Sequence, residues 1–129
     1  MKLLTLDPGG TTGFAIFQDG CLINYGEFLT HEGLPALIPE SELVLYEEIR
    51  VTHPSFNPIG LEVIGVIKFL CEKAKIKCVG QPSTKITGCR RWSVFDFSEI
   101  KSQHIIDAVC HGVVYLSLER VELPQKFLK

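Results

Sequence analysis

The sequence predicts an α/β domain: a five-stranded mixed sheet, its first three strands an antiparallel meander, flanked by helices. Three observations predict it. Strand-like runs at Lys2–Leu6, Gly13–Gln18 and Cys21–Leu29 are separated only by short turn sequences, which joins consecutive strands as hairpins. Beyond residue 43, strand-like and helix-like segments alternate, the pattern of crossover connections. A chain of 129 residues suits a single domain, 1–129, rather than two.

Each element has its own signal. Lys2 to Leu6 is an apolar first strand, broken by Pro8-Gly9-Gly10. Gly13 to Gln18 (GFAIFQ) is the second strand, and Asp19-Gly20 is a strong hairpin turn that returns the chain as Cys21 to Leu29. Glu32 to Ile38 reads as a short helix weakened by Gly33 and Pro35. Leu43 to Ile49 (LVLYEEI) is a fourth strand that turns abruptly acidic. Asn57-Pro58 sets an N-cap and a proline at the first helical position. The helix runs to about Lys75 with Leu61, Ile64, Ile67 and Leu70 as its apolar stripe. Ile76 to Val79 is the fifth strand, ended by Gly80 and Pro82. Residues 81–98 carry no clear period. A final helix follows, with Asp96 and Glu99 in capping-box spacing, an apolar set of Ile105, Ile106, Val109, Val113, Leu116 and Leu118, and an end before Pro124.

Composition narrows the class. Hydrophobic residues make up 46% and charged residues 22%, a globular balance that buries a core without staples. Apolar runs such as VLY at 44–46 and GVVYL at 112–116 are far shorter than a membrane span. The N-terminal MKLLTLD meets an acid at position 7, too early for a signal peptide. The five cysteines (Cys21, Cys71, Cys78, Cys89, Cys110) are odd in number and include no CxxC pair. They point to reduced thiols in a cytoplasmic compartment rather than to a disulfide framework or a zinc site. The formal charge of −2 argues against a polyanionic partner. The positives are clustered, however, at Lys68, Lys73, Lys75 and Lys77 and again at Lys85, Arg90, Arg91 and Lys101. Acids that hold a cation also change the local sign.

Three acids stand at structurally awkward places. Asp7 ends the first strand, Glu47 follows Leu45 and Tyr46 near the end of the fourth, and Asp107 interrupts the apolar stretch IIDAVC of the final helix. Taken singly, Asp7 before Pro-Gly also reads as a turn starter, and Glu47 and Glu48 as strand-end charges. An acid between Ile106 and Ala108 on a packed helix is harder to explain that way. If the first and fourth strands are neighbours and the last helix crosses them, the three carboxylates converge. Their repulsion then calls for protons or cations, and magnesium or manganese suits oxygen ligands. His104, Asp107 and His111, at i, i+3 and i+7, share one helix face. His104 is a candidate ligand or base, and His111, one turn deeper, is expected to pack against the core. Strand alternation turns Glu48 to the opposite face from Glu47.

These residues resemble a known family. LTLDPGGTTGFAIF is similar to the first strand and turn of RuvC-type Holliday-junction resolvases, within the ribonuclease H-like superfamily. LVLYEEI resembles their fourth-strand glutamate segment, and HIIDAVCHGVVYL their final helix. The likeness spans roughly residues 2 to 118, and the short form looks most like phage-encoded members. It implies a ribonuclease H-like fold, with Asp7, Glu47 and Asp107 as metal-binding carboxylates and His104 as a fourth site residue. Lys85 and Gly88 resemble a pair that contacts DNA in the family. The chain departs from the family in being compact and slightly acidic, which implies fewer phosphate contacts and a shallower salt dependence of DNA binding.

The resemblance implies a Mg2+-dependent endonuclease, with Mn2+ an alternative, that resolves four-way DNA junctions by two-metal hydrolysis. Such ions sit about 3.5–4 Å apart, and the products carry 5′ phosphate and 3′ hydroxyl ends. Asp7 is expected to bridge the ions, Glu47 and Asp107 to hold one each, and His104 to complete a shell or position water. Lys85, Arg90, Arg91, Lys101, Thr11 and Thr12 are the expected nucleic-acid contacts, and Trp92 either stacks on the junction or packs in the core. A two-fold junction cut symmetrically implies a homodimer; Gly60 and Gly65 make the middle helix a candidate interface, with helix-to-sheet packing the equally strong reading of each glycine. Cytoplasm, that of a host if phage-encoded, is the implied location. The rival readings are a ribonuclease H-like nuclease on other branched DNA or RNA, a phosphate-cradling nucleotide-binding module, and a non-catalytic DNA-binding relative. The nucleotide-binding module needs two domains and more residues than are present, and the non-catalytic relative would have lost one of the acids.

Overall fold

The computed structural model describes residues 1–52, 56–89 and 97–118. Its strands are β1 (Lys2–Asp7), β2 (Thr11–Gln18), β3 (Cys21–Leu29), β4 (Leu43–Glu47) and β5 (Lys77–Gln81), in the order β3-β2-β1-β4-β5. The first three pair antiparallel, while β4 runs parallel to β1 and β5 parallel to β4. Among the described residues, three helices, α1 (Leu34–Leu37), α2 (Pro58–Ala74) and α3 (Gln103–Leu118), and two single 3₁₀ turns at Ile38–Glu40 and Ser83–Lys85 flank the sheet. This is the mixed five-stranded α/β architecture that the sequence predicts.

Local chemistry explains the turns. Asp19 and Gly20 lie at φ 52° and 85°, both in the left-handed region, as a two-residue hairpin loop requires. The Asn57 side chain accepts the Ile59 amide at 3.0 Å and Pro58 opens α2. Lys75, at φ 59°, ends that helix in left-handed geometry.

The period of two in the strands sorts their residues between two cores. Leu3, Leu43 and Leu45 meet α3 through Ala108, Val109, Val113 and Leu116. Leu4, Leu6, Val44 and Tyr46 turn the other way, onto Leu34, Ile38, Val63, Ile64, Ile67 and Cys71. Full burial of such side chains contributes about 1.5–3 kcal/mol each, so a one-residue slip in β1 or β4 would exchange both faces at once. Thr5 is the fully buried polar residue in the middle of β1; its hydroxyl donates to the Ala108 carbonyl at 2.6 Å and so ties α3 to the sheet.

Several boundaries differ from expectation. β2 begins at Thr11, the α1 segment is one turn followed by a 3₁₀ turn, β4 stops at Glu47, and β5 extends through Gly80 to Gln81. The Asp96/Glu99 pair does not start the last helix. α3 begins at Gln103, because Phe97 and Ile100 form a separate turn (Ile100 N to Phe97 O, 2.9 Å) and pack onto the α3 core. Asp96, Trp92 and Pro124 lie outside the described residues. The five cysteines are free. Cys71 and Cys78 hydrogen-bond to each other, which holds the Cys78 thiol below its ordinary value and pushes Cys71 up.

The two glycines of α2 have different reasons. A Cβ on Gly60 would come 2.1 Å from Ile49 Cδ1, so its small size serves contact within the chain, whereas Gly65 is exposed with nothing within 4 Å.

Candidate metal centre

Parallel strands end at the same edge of a sheet, so β1, β4 and β5 deliver Asp7, Glu47 and Gln81 side by side. Leu6 pairs with Tyr46 one residue before the acids, and Glu47 pairs with Gln81. Asp7 is opposite Gly13 of β2, and the missing side chain of Gly13 lets the first turn of α3 approach. A Cβ there would stand 2.1 Å from the His104 carbonyl oxygen. Together with the Thr5–Ala108 hydrogen bond, this close contact sets Asp107 over the strand ends.

Asp7, Glu47 and Asp107 each place one carboxylate oxygen so that all three lie within 4.8 Å of one another. Asp7 is 8% exposed and Asp107 7%, so water screens them little. Unit charges at such separations repel by about 3–4 kcal/mol per pair at an effective dielectric of 20. A fold that holds three acids this way relieves their repulsion by protonation or by a bound cation.

Side chains from α3 meet the cluster. Gln103 Nε2 donates to Asp107 Oδ1 at 2.8 Å, and His104 Nδ1 stands 3.4 Å from Asp7 Oδ2 with half its side chain exposed. His111 is wholly buried, with Nε2 3.1 Å from Glu47 Oε1 and Nδ1 2.6 Å from Gln81 Oε1. Among the described residues no buried side-chain nitrogen or oxygen lacks a hydrogen-bond partner.

The donor set is oxygen-rich and carboxylate-dominated, with one imidazole at its solvent edge. That composition fits a hard divalent cation such as Mg2+ or Mn2+ and lacks the thiolates of a softer-metal site. Asp7, Glu47 and Asp107 are therefore the residues that can hold it, with His104 beside them.

The other expected site residues are distributed differently. Glu48 turns to the opposite side, as strand alternation demands, and there lines a pocket of about 260 Å³ with Tyr46, Ile49, Leu61, Ile64 and Lys68. Lys85, on the 3₁₀ turn after β5, and Lys101, just ahead of α3, are exposed. Thr11 is half-buried, and Thr12 is fully buried with its hydroxyl donating to the Thr30 carbonyl at 2.6 Å, so it braces the turn after β1. Arg90 and Arg91 lie outside the described residues. Two polar neighbours, Gln103 and Gln81, went unrecognised as site residues in the sequence, and His111, on the same helix face as Asp107, was expected mainly to pack against the core. Gln103 had a signal, being one helical turn before Asp107. His111 had the matching signal one turn after it. Gln81 needed the β4–β5 register.

Solved structures of RuvC share this fold. Thermus thermophilus RuvC in complex with Holliday junction substrate superposes with a TM-score of 0.73 at 12% identity, covering 93% of this chain and 96% of that one. A second Thermus thermophilus RuvC structure gives 0.64 at 13% identity, covering 96% and 99%. The chain thus has the ribonuclease H-like fold of RuvC over nearly its full length. Neither a family model nor a curated protein sequence matches it. No helix among the described residues is long and apolar enough to cross a membrane.

Proposed function

We propose that this chain, built on the RuvC fold, is a divalent-metal-dependent endonuclease that cuts branched DNA, with the four-way junction as its preferred substrate. One observation carries the reading: Asp7, Glu47 and Asp107, from three separate elements, meet within 4.8 Å at the sheet edge. The fold supports the substrate class, since a similar structure is RuvC in complex with Holliday junction substrate.

The residues have distinct tasks. Asp7, at the end of a buried central strand, would hold a cation from a rigid position. Glu47 and Asp107 flank it on β4 and α3. A divalent cation held by these three carboxylates would supply Lewis-acid activation of a water and charge neutralisation at the scissile phosphate. His104, half exposed beside Asp7, is placed to orient the attacking water or complete a ligand shell. The turn at Gly9-Gly10 leaves space for a phosphate, with nothing within 4 Å of a Cβ at Gly10. Lys85 and Lys101 carry positive charge on the segments after β5 and before α3, as phosphate contacts would require; Thr11, Arg90 and Arg91 complete the proposed DNA-binding set. A homodimer, acting in the cytoplasm, matches the two-fold symmetry of the substrate.

The test is Mg2+-dependent digestion of a synthetic four-way junction run beside a flap, a linear duplex and an RNA–DNA hybrid. Paired nicks confined to the junction and lost on chelation are expected. Cleavage of the hybrid with the junction untouched would assign the chain to RNA processing instead.

A further inference from the structure

Among the described residues His111 is the one buried histidine, and it is 0% exposed. It sits four residues after Asp107 on α3, enclosed by a core that contains Leu45, Val109 and Val113. A leucine there would satisfy that core without any polar group to desolvate. Burying an imidazole is favourable only if its nitrogens are hydrogen-bonded, and both are: Nε2 to Glu47 Oε1 at 3.1 Å and Nδ1 to Gln81 Oε1 at 2.6 Å. Gln81 is itself 6% exposed and stands in register with Glu47 across the β4–β5 ladder. The three side chains form a buried chain, Gln81–His111–Glu47, that ends on a carboxylate of the acidic cluster.

We propose that His111, oriented by Gln81, is a positioning residue for Glu47, fixing the carboxylate in the direction from which it ligates a cation. This inference rests on the reading of Asp7, Glu47 and Asp107 as a cation site. His111 does not touch the cation; it acts through Glu47. A glutamate at a strand end has several rotors to immobilise before it can ligate, and ordering such a side chain costs about 1.5–2 kcal/mol. A carboxylate accepts and does not donate, so the Glu47-facing nitrogen carries the proton and holds Oε1 in place. That leaves Nδ1 as an acceptor, so the Gln81 amide, whose oxygen and nitrogen positions are interchangeable by a half-turn, meets it with its NH2 group and the ring does not turn. Hydrogen-bond partners of ligating carboxylates characteristically change metal affinity by about 10–100-fold. Each of the three acids has a partner on α3, but His104 and Gln103 are exposed whereas His111 is locked in the core. Glu47 is thus gripped from inside the fold.

The experiment is Mn2+ binding to the full chain without DNA, followed by calorimetry, for wild type, Asp107→Asn, His111→Leu, His111→Gln and Gln81→Met. Asp107→Asn is expected to abolish binding. His111→Leu keeps the volume but removes the N–H, and is expected to weaken Mn2+ roughly 10–100-fold. His111→Gln places an amide N–H near the position of Nε2, and is expected to restore affinity to within a few-fold. Gln81→Met, which frees the ring, is expected to fall between. Wild-type affinity in folded His111→Leu overturns the proposal, as does His111→Gln binding no better than His111→Leu, because a packing role needs no N–H. Should His111→Leu fail to fold, unchanged affinity in Gln81→Met overturns it equally. A wild-type chain that binds no Mn2+, or an Asp107→Asn chain that binds it normally, overturns the cation site itself and this inference with it. Loss of affinity in Asp107→Asn with none in the His111 and Gln81 variants overturns the inference alone.

Discussion

Asp7→Asn is expected to slow junction cleavage by at least about a thousandfold, roughly 4 kcal/mol of barrier, while junction binding stays nearly unchanged. The substitution keeps size and shape but removes a unit of negative charge from the point where β1 delivers it to the cluster. Asp7 is 8% exposed and lies within 4.8 Å of both other acids, so each of its two repulsions, about 3–4 kcal/mol at an effective dielectric of 20, disappears with the charge. The metal-free variant should therefore melt at a higher temperature than metal-free wild type. The response to cation reverses the order. Saturating Mg2+ at a hundredfold excess over Kd stabilises a binding-competent chain by about 2.7 kcal/mol, and the variant forgoes most of that gain. Melting curves with and without Mg2+, run beside a gel-shift and a cleavage assay, check all three parts. A variant that cuts at the wild-type rate would remove Asp7 from the site.

Gly13→Ala is expected to disturb stability and cleavage together, although the glycine carries no chemistry. Its Cβ would stand 2.1 Å from the His104 carbonyl oxygen, 2.3 Å from the carbonyl carbon and 2.8 Å from the Ile105 nitrogen. All three atoms belong to the backbone of α3, so no side-chain rotation relieves the clash and the helix must move. Overpacking of this kind costs about 3 kcal/mol, which lowers Tm by roughly 10 °C in a domain of this size. The displaced turns carry His104 and Asp107, and a misplacement near 1 Å at a reacting centre costs about a hundredfold in rate. Gly10→Ala is the control, because a Cβ there meets nothing within 4 Å, and its Tm should match wild type. Gly13→Ala with wild-type Tm and rate would mean that α3 does not depend on this contact.

The fold was legible where local and tertiary preferences agree. The β1–β2–β3 meander follows from turn chemistry at Pro8-Gly9-Gly10 and Asp19-Gly20, and α2 from Asn57-Pro58 and its apolar stripe. Where they conflict, the local pattern misleads. The spacing of Asp96 and Glu99 invites a helix start there, yet Phe97 and Ile100 are drawn onto the α3 core and form their own turn, and α3 begins only at Gln103. The extension of β5 through Gly80 and Gln81 depends on its ladder with Tyr46 and Glu47, a pairing distant in sequence.

The acidic cluster was legible for a related reason: Asp7 and Glu47 each close an apolar strand and Asp107 interrupts an apolar helix, and a charge in such a place is informative. Their hydrogen-bond partners were less so. Gln81 sits beside Pro82 and reads as loop until the register is known, and His111 on an apolar helix face looks like packing. It does pack, but its two ring nitrogens join Gln81 to Glu47. Thr5 and Thr12 show the converse. Both are polar residues buried at 0% whose hydroxyls bind backbone carbonyls, and their task is to hold α3 and the turn after β1 in place.

The most direct measurement is an anomalous difference map from crystals of the chain grown in Mn2+ without DNA. The convergence of Asp7, Glu47 and Asp107 predicts manganese density ligated by oxygens of all three carboxylates. Saturating Mn2+ with no density among them, or density ligated only by other residues, would contradict the assignment of this sheet edge as the metal centre.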